Sequence, residues 1–174
     1  MKDTKTSIEK IKSLNKVDLA DLCNITEQAI KTGGGFGWLK IPTRENLIKY
    51  WKGILLIPNR IIFVGRINNT IAGSTQLVLQ TQNNEAQKIS ANLMTHFVAP
   101  WARGFGLARN MIKKLEDEAR NKDVKYIQLD VRETQDAAIK CFETLGYIKW
   151  GINPHYAEVE GKDIRGYYYY KYIK

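Results

Sequence analysis

Cysteine, histidine and proline are scarce in this 174-residue chain, which has two cysteines, two histidines and four prolines. Cys23 and Cys141 stand alone within apolar helical patterns, so they predict no disulfide framework. With His96 and His155 they also lack the spacing of a zinc site, and we expect no metal in the protein. The length predicts a single domain over residues 1–174, large enough to fold without such cross-links.

Acidic residues are outnumbered, 18 against 27 Lys and Arg, which gives a formal charge of +9. This excess favours polyanionic partners such as nucleic acid, an acidic membrane or a phosphorylated cofactor, and the charge alone does not choose among them. Because the basic residues are dispersed and no nucleic-acid recognition module is visible, nucleic acid is not the partner that we expect.

A long hydrophobic run is missing as well. The longest apolar stretch, residues 53–65, is interrupted by Pro58, Asn59 and Arg60 and is too short and too polar to span a bilayer. The first six residues have no apolar core and do not predict a signal peptide. We therefore expect a soluble, cytoplasmic protein that has no membrane partner.

Hydrophobic periodicity predicts alternating helices and strands. Asn15 and Thr43 are typical helix N-caps, and Asn68-Asn69 predicts an antiparallel hairpin. Strands are predicted over 7–13, 60–67, 71–79, 88–98, 126–131, 147–152 and 165–172, and the later helices over about 107–121 and 134–144. The order indicates the α/β (α+β) class, with a mixed central sheet of about six to seven strands flanked by about four helices.

The segment from Val98 to Ala108 lies where a predicted strand passes into a helix. Helix-start amides have no internal partner and bind phosphate well, and Gly104 and Gly106 leave them uncovered. Arg103 adds a fixed cation. We interpret residues 103–108 as a pyrophosphate-binding loop, although two glycines can also merely turn the chain into a helix. Neither a P-loop nor a dinucleotide fingerprint fits this sequence.

The pattern Arg103-x-x-Gly106-x-Ala108 resembles the coenzyme A signature of the GNAT superfamily of N-acetyltransferases. Residues 135–147 resemble the second signature of that family. Scattered further segments are similar to its tabtoxin resistance type: residues 33–38, 50–51, 72–77, 129–130 and 168–171. The resemblance implies a GNAT-like fold in which strands four and five splay apart, and an enzyme that uses acetyl-CoA and needs no metal.

The resemblance also implies which residues bind acetyl-CoA. Main-chain groups of the fourth strand would hold the pantetheine, and the loop amides the pyrophosphate. The cofactor-binding candidates are Phe97, Val98, Arg103, Gly104, Phe105, Gly106, Leu107, Ala108, Gln135 and Phe142. Phe142 stands where the family usually has a tyrosine that protonates the departing thiolate, so another hydroxyl serves or the thiolate leaves unprotonated.

A base must remove the ammonium proton of the acceptor. Asp130 is the leading candidate because the tabtoxin resistance type has Asp there, although an Asp can also cap a helix or loop. The carboxylate that this type carries on the fourth strand is replaced by Asn92, which cannot be a base. A water held by Asn92 and His96, whose ordinary pKa is about 6.5, are alternatives. His96 can equally be a structural strand histidine.

The expected acceptor is a primary amine of a small, amino-acid-like molecule, with a peptide or protein N-terminus as the alternative. The acceptor-site candidates are Gly35, Phe36, Trp38, Asn92 and Tyr156. Asn92 and Phe142 also motivate a different hypothesis, a non-catalytic coenzyme A binding module. Because members of the family often dimerise through terminal strands, a homodimer is a further expectation.

Overall fold

The structure is a computed structural model that describes residues 4–33 and 36–174. Its described residues form four α-helices: α1 Lys16–Lys31, α2 Arg44–Ile54, α3 Leu107–Arg120 and α4 Asp136–Thr144. The seven strands are β1 Thr6–Ile11, β2 Arg60–Ile67, β3 Thr70–Leu79, β4 Ser90–Val98, β5 Tyr126–Arg132, β6 Ile148–Val159 and β7 Lys162–Tyr172. None of the described helices is both long and apolar enough to cross a membrane.

The strands form the mixed seven-stranded sheet that the sequence predicts. The described residues group into two compact units, one from Met1–Val78 with Met94–Leu115 and the other from Leu79–Leu93 with Glu116–Lys174. The strand order is β1-β2-β3-β4 in the first and β4-β5-β7-β6 in the second, β4 contributing to both. β4 pairs with β5 in parallel through Ser90–Asn92 only, and both strands continue beyond that pairing.

The first unit packs α1 and α2 with residues of β2 and β3 in one core. Asn15 caps α1, its side chain accepting a 2.8 Å hydrogen bond from the Asp18 amide, and Thr43 caps α2 in the same way. Trp51 of α2 is fully buried and donates through Nε1 to Thr26 of α1 at 3.1 Å. Both predicted N-caps are therefore confirmed.

Gly73 on β3 sets the position of the last residues of β4. A Cβ at this position would lie 2.8 Å from the carbonyl oxygen of Phe97 and 2.9 Å from Cε of Met111. The Met111 side chain can move aside, but the Phe97 carbonyl belongs to the backbone, so only glycine lets β4 approach β3 this closely. The chain then leaves β4 toward the loop before α3.

Strands β6 and β7 extend several residues beyond the predicted ranges 147–152 and 165–172. The turn between the two strands contains Gly161, whose φ is +73°. The missed part of β6 contains a bulge, because Asn153 pairs with Gly166 and Ala157 with Ile164, which leaves residues 154–156 opposite Arg165. A bulge interrupts the alternation of side chains on which the sequence prediction depends. It also accommodates Pro154, which lacks an amide proton.

A buried ion pair stabilises the second unit. Lys171 Nζ of β7 donates to both carboxylate oxygens of Glu116 in α3 at 2.8 Å, and Glu116 is only 3% exposed. We expect Lys171→Met to lower the free energy of unfolding by about 3 kcal/mol, because it leaves a buried carboxylate without its main partner. Lys49→Met is the matched control, since its pair with Glu45 is exposed and contributes less than about 1 kcal/mol. Equal losses in urea unfolding of the two variants would contradict this assignment.

Candidate active site

The loop before α3 presents a row of backbone amides. The Gly106 carbonyl accepts from the Asn110 amide at 3.0 Å, so the first turn of α3 follows directly. Arg103 donates its amide to Pro100 at 3.4 Å. In the part of the chain that the structure describes, the amides of residues 104–108 donate to no protein group. Amides at this end of a helix carry its partial positive charge and bind anions.

The side chains around these amides leave the loop open. A Cβ at Gly104 would meet nothing within 4 Å, and one at Gly106 only Asn110 Nδ2 at 3.7 Å. Both glycines have positive φ, +88° and +75°, which other residues adopt only with strain. Arg103 and Phe105 are exposed and Ala108 is half-buried, whereas Leu107 anchors the loop by its buried side chain. The loop can therefore accommodate a diphosphate beside the Arg103 guanidinium.

The end of β4 deviates from regular strand geometry just before this loop. Thr95 has φ +48°, a conformation that costs a β-branched residue on the order of 1–3 kcal/mol. Phe97 is buried and Val98 half-buried. Burial lowers the pKa of His96 to about 4, so its ring is uncharged at neutral pH. His96 thereby loses the titration near pH 7 that makes histidine a versatile base.

Phe36, Gly37, Trp38, Tyr50 and Thr95 line a cleft of about 340 Å³, which we call the aromatic cleft. The rings of Phe36 and Trp38 stack at 5.7 Å, and Trp38 meets Tyr50 edge-on at 5.0 Å. The structure therefore brings together two of the predicted acceptor-site residues, Phe36 and Trp38. Gly35, a third one, lies outside the described residues.

Phe97 joins the end of β4 to this cluster of rings. Its ring contacts Phe36 at 4.8 Å in an edge-on arrangement. Tyr50 and Thr95 were not among the predicted site residues. Tyr50 belongs to an aromatic pair visible in the sequence, whereas no sequence signal marks a threonine with positive φ.

Asp130 lies inside β5, so the alternative that it caps a helix or loop is wrong. It is exposed, and it accepts a hydrogen bond through Oδ2 from the Tyr156 hydroxyl. Burial, and secondly the hydrogen bond to Asp130, raise the pKa of Tyr156 above its ordinary value. Tyr156 therefore keeps its proton at neutral pH, and its hydroxyl donates a hydrogen bond to the Asp130 carboxylate.

Gly166 on β7 makes room for this contact. A Cβ there would overlap the ring of Tyr156, which the bulge in β6 directs across β7. Bulges commonly redirect a side chain in this way. A glycine within the tyrosine-rich strand, between Arg165 and Tyr167, is the sequence signal that could have identified the close approach.

The remaining predicted site residues of the second unit are placed as follows. Asn92 is half-buried and pairs with Gln128 across β4 and β5. Gln135 directly precedes α4, and its carbonyl accepts from the Ile139 amide at 3.0 Å. Phe142 is 4% exposed and packs edge-on against Tyr147 at 5.7 Å. Over the described ranges, His, Cys, Asp and Glu side chains form no group that could hold a metal ion.

Two variants test whether Gly166 acts through Tyr156. If the chain is the acetyltransferase that its sequence resembles and Asp130 is its base, Tyr156→Phe and Gly166→Ala should each lower acetyl transfer by about tenfold, because both leave the Asp130 carboxylate without the hydroxyl that holds it in place. The double variant should be no slower than either single one, since the same contact cannot be lost twice. Turnover measured as released thiol checks this, and additive losses would show that the two residues act separately.

Comparison with known proteins agrees with the family resemblance of the sequence. The model of the acetyltransferase (GNAT) family matches residues 24–147. An Azospirillum brasilense protein described as an uncharacterized N-acetyltransferase in the hisH-hisA intergenic region is 52% identical over 132 residues, covering 76% of this chain and 79% of that protein. The chain therefore belongs to the acetyltransferase (GNAT) family, and it is an N-acetyltransferase.

Solved structures confirm the predicted fold. An N-acetyltransferase from Staphylococcus aureus Mu50 matches with a TM-score of 0.82 at 19% identity, over 98% of this chain and 99% of that one. The ribosomal-protein-alanine N-acetyltransferase from Brucella melitensis matches with a TM-score of 0.78 at 19% identity, over 95% of this chain and 99% of that one. At such identities the likeness concerns the fold alone, and the tabtoxin resistance type stays a prediction.

Proposed function

We propose that this N-acetyltransferase transfers the acetyl group of acetyl-CoA to the primary amine of a small, amino-acid-like acceptor by direct attack. The observation that carries the proposal is the row of five amides before α3, which donate to no protein group in the described chain. A row of this kind fits the diphosphate of coenzyme A. RimL, a ribosomal L7/L12 alpha-N-protein acetyltransferase of similar fold (TM-score 0.80, 13% identity), is known in complex with coenzyme A.

Acetyl-CoA supplies an activated acetyl thioester when it is bound. In this proposal the amides of residues 104–108 and the Arg103 guanidinium hold its diphosphate. Main-chain groups of Phe97 and Val98 hold the pantetheine, and Gly73 fixes their position from β3. Gln135 and Phe142 complete the proposed cofactor-binding set. Phe142 has no acidic proton, so it contributes packing and not proton transfer.

Asp130 is the proposed base that takes the proton of the acceptor ammonium. Its carboxylate is exposed, and the Tyr156 hydroxyl holds one of its oxygens. A negatively charged base also attracts the ammonium before it removes the proton. His96, uncharged and with its pKa lowered to about 4, offers no such attraction and is the second candidate.

The aromatic cleft is the proposed site of the acceptor. Its volume of about 340 Å³ falls at the lower end of small-molecule pockets. A small acceptor fits a cleft of this size, and a peptide N-terminus is the alternative. A cytoplasmic location and a homodimer stay predictions.

Calorimetric titration with acetyl-CoA, followed by a screen of amines and peptides read by released thiol, tests the proposal. We expect acetyl-CoA to bind with a Kd of tens of micromolar or lower, and we expect the acetyl group to be transferred to small amines. No binding would overturn the proposal. Binding without transfer to any acceptor would favour a coenzyme A binding module, and transfer to peptides alone would favour the peptide alternative.

A further inference from the structure

Behind the aromatic cleft, three polar side chains form a hydrogen-bonded chain that ends at Tyr50. Arg60 of β2 donates through Nη1 to Oε1 of Gln76 on β3. Gln76 donates through Nε2 to the Tyr50 hydroxyl oxygen at 3.5 Å. Gln76 is fully buried, whereas Tyr50 is half-buried and lines the cleft. The proposed catalytic steps do not use this chain.

The direction of these hydrogen bonds follows from the chemistry of the groups. A guanidinium only donates, so the amide oxygen of Gln76 has to face Arg60. The opposite orientation of the amide would place two donors against each other in a buried position, which is costly. The NH₂ group of Gln76 consequently faces Tyr50, and the phenol oxygen accepts.

A phenol that accepts through its oxygen still has one proton to donate. In the part of the chain that the structure describes, no group accepts the Tyr50 proton. The positive charge of Arg60 polarises these hydrogen bonds toward Tyr50 and makes its phenol a stronger hydrogen-bond donor. The proton is therefore available to a molecule in the aromatic cleft.

We infer that Tyr50 donates a hydrogen bond to a carboxylate or carbonyl oxygen of the acceptor, and that it thereby selects amino acids over simple amines. This inference rests on the proposed function. The rings of Phe36 and Trp38 provide an apolar wall for the side chain of such an acceptor. None of the described residues that line the cleft carries a charge, so a polyamine would find no anionic partner there.

Paired acceptors that differ only in the carboxylate test the inference: leucine against isopentylamine, and phenylalanine against phenethylamine. We expect the wild-type enzyme to show a higher kcat/KM for the amino acid of each pair. Tyr50→Phe should lower kcat/KM for the amino acids by about tenfold or more, the usual effect of losing a hydrogen bond to a charged group. For the simple amines it should change kcat/KM by less than about twofold, and the affinity for acetyl-CoA should be unchanged.

Gln76→Glu tests the direction of the hydrogen bonds that run from Arg60 through Gln76 to Tyr50, and it keeps the Tyr50 ring. The new carboxylate would accept from both Arg60 and Tyr50 and so turn the phenol proton away from the cleft. We expect the preference for amino acids to fall at least as far as in Tyr50→Phe. Tyr126→Phe is the matched control, because Tyr126 lies on β5 and its ring packs against Tyr172. Its preference should equal that of the wild-type enzyme.

The outcomes separate this inference from the proposed function. Preference for the simple amine in both pairs, or an equal loss for both members of each pair in Tyr50→Phe, overturns the role of Tyr50 and leaves a small-amine acetyltransferase intact. If the enzyme transfers acetyl neither to these four acceptors nor to any other small amine, both the role of Tyr50 and the proposed function are overturned. Thermal unfolding of each variant shows whether a loss reflects misfolding, and the ratio within a pair is independent of the amount of folded enzyme.

Discussion

Replacement of Gly106 by glutamate is expected to weaken acetyl-CoA binding by at least about tenfold. The new carboxylate would stand among amides that donate to no described protein group, where it would repel the diphosphate and accept the same hydrogen bonds. Gly106 also has φ +75°, so any side chain adds backbone strain. Calorimetric titration with acetyl-CoA measures the loss.

Two controls separate charge from strain. Gly106→Gln adds the same strain without the charge, so its affinity should lie between those of the wild-type protein and Gly106→Glu. Gly161→Glu adds the same charge at nearly the same φ, +73°, in the turn between β6 and β7, and should bind acetyl-CoA normally.

Arg103→Glu, at an exposed position, should weaken binding as Gly106→Glu does. Normal binding by both loop variants would mean that residues 103–108 do not hold the diphosphate.

The features that the sequence predicted well depend on local chemistry. Asn15 and Thr43 cap the first two helices because their side chains accept from amides three residues later. Asn68 and Asn69 form the β2–β3 turn because asparagine tolerates positive φ. The loop before α3 belongs to the same group, since its glycines and the helix start are neighbours in sequence.

Features created by contacts distant in sequence could not be predicted. The full length of β6 was missed because a bulge opposite Arg165 breaks its alternation. No spacing in the sequence marks the hydrogen-bonded set of Arg60, Gln76 and Tyr50. Only the packing of α2 with β2 and β3 brings these three side chains together. Tyr156 was predicted for the acceptor site, and the structure adds a hydrogen bond to Asp130 that depends on Gly166.

Asp130→Asn is expected to lower turnover by about 100-fold or more, while acetyl-CoA affinity stays within about twofold. The amide keeps an oxygen that can accept from the Tyr156 hydroxyl, but it cannot take the ammonium proton. General base catalysis typically contributes a factor of this size. Single-turnover rates with a small amine identified by the screen, together with a titration of acetyl-CoA, check both statements.

The pH dependence distinguishes a base from a residue that only holds the structure. As the pH approaches the pKa of the acceptor ammonium, more of the amine arrives already deprotonated, so the defect of Asp130→Asn should shrink. A structural defect would persist at every pH. Asp163→Asn is the matched control, because this exposed carboxylate on β7 binds His155 at 2.7 Å and should be dispensable. Full activity of Asp130→Asn at neutral pH would transfer the role of base to His96 or to a water held by Asn92.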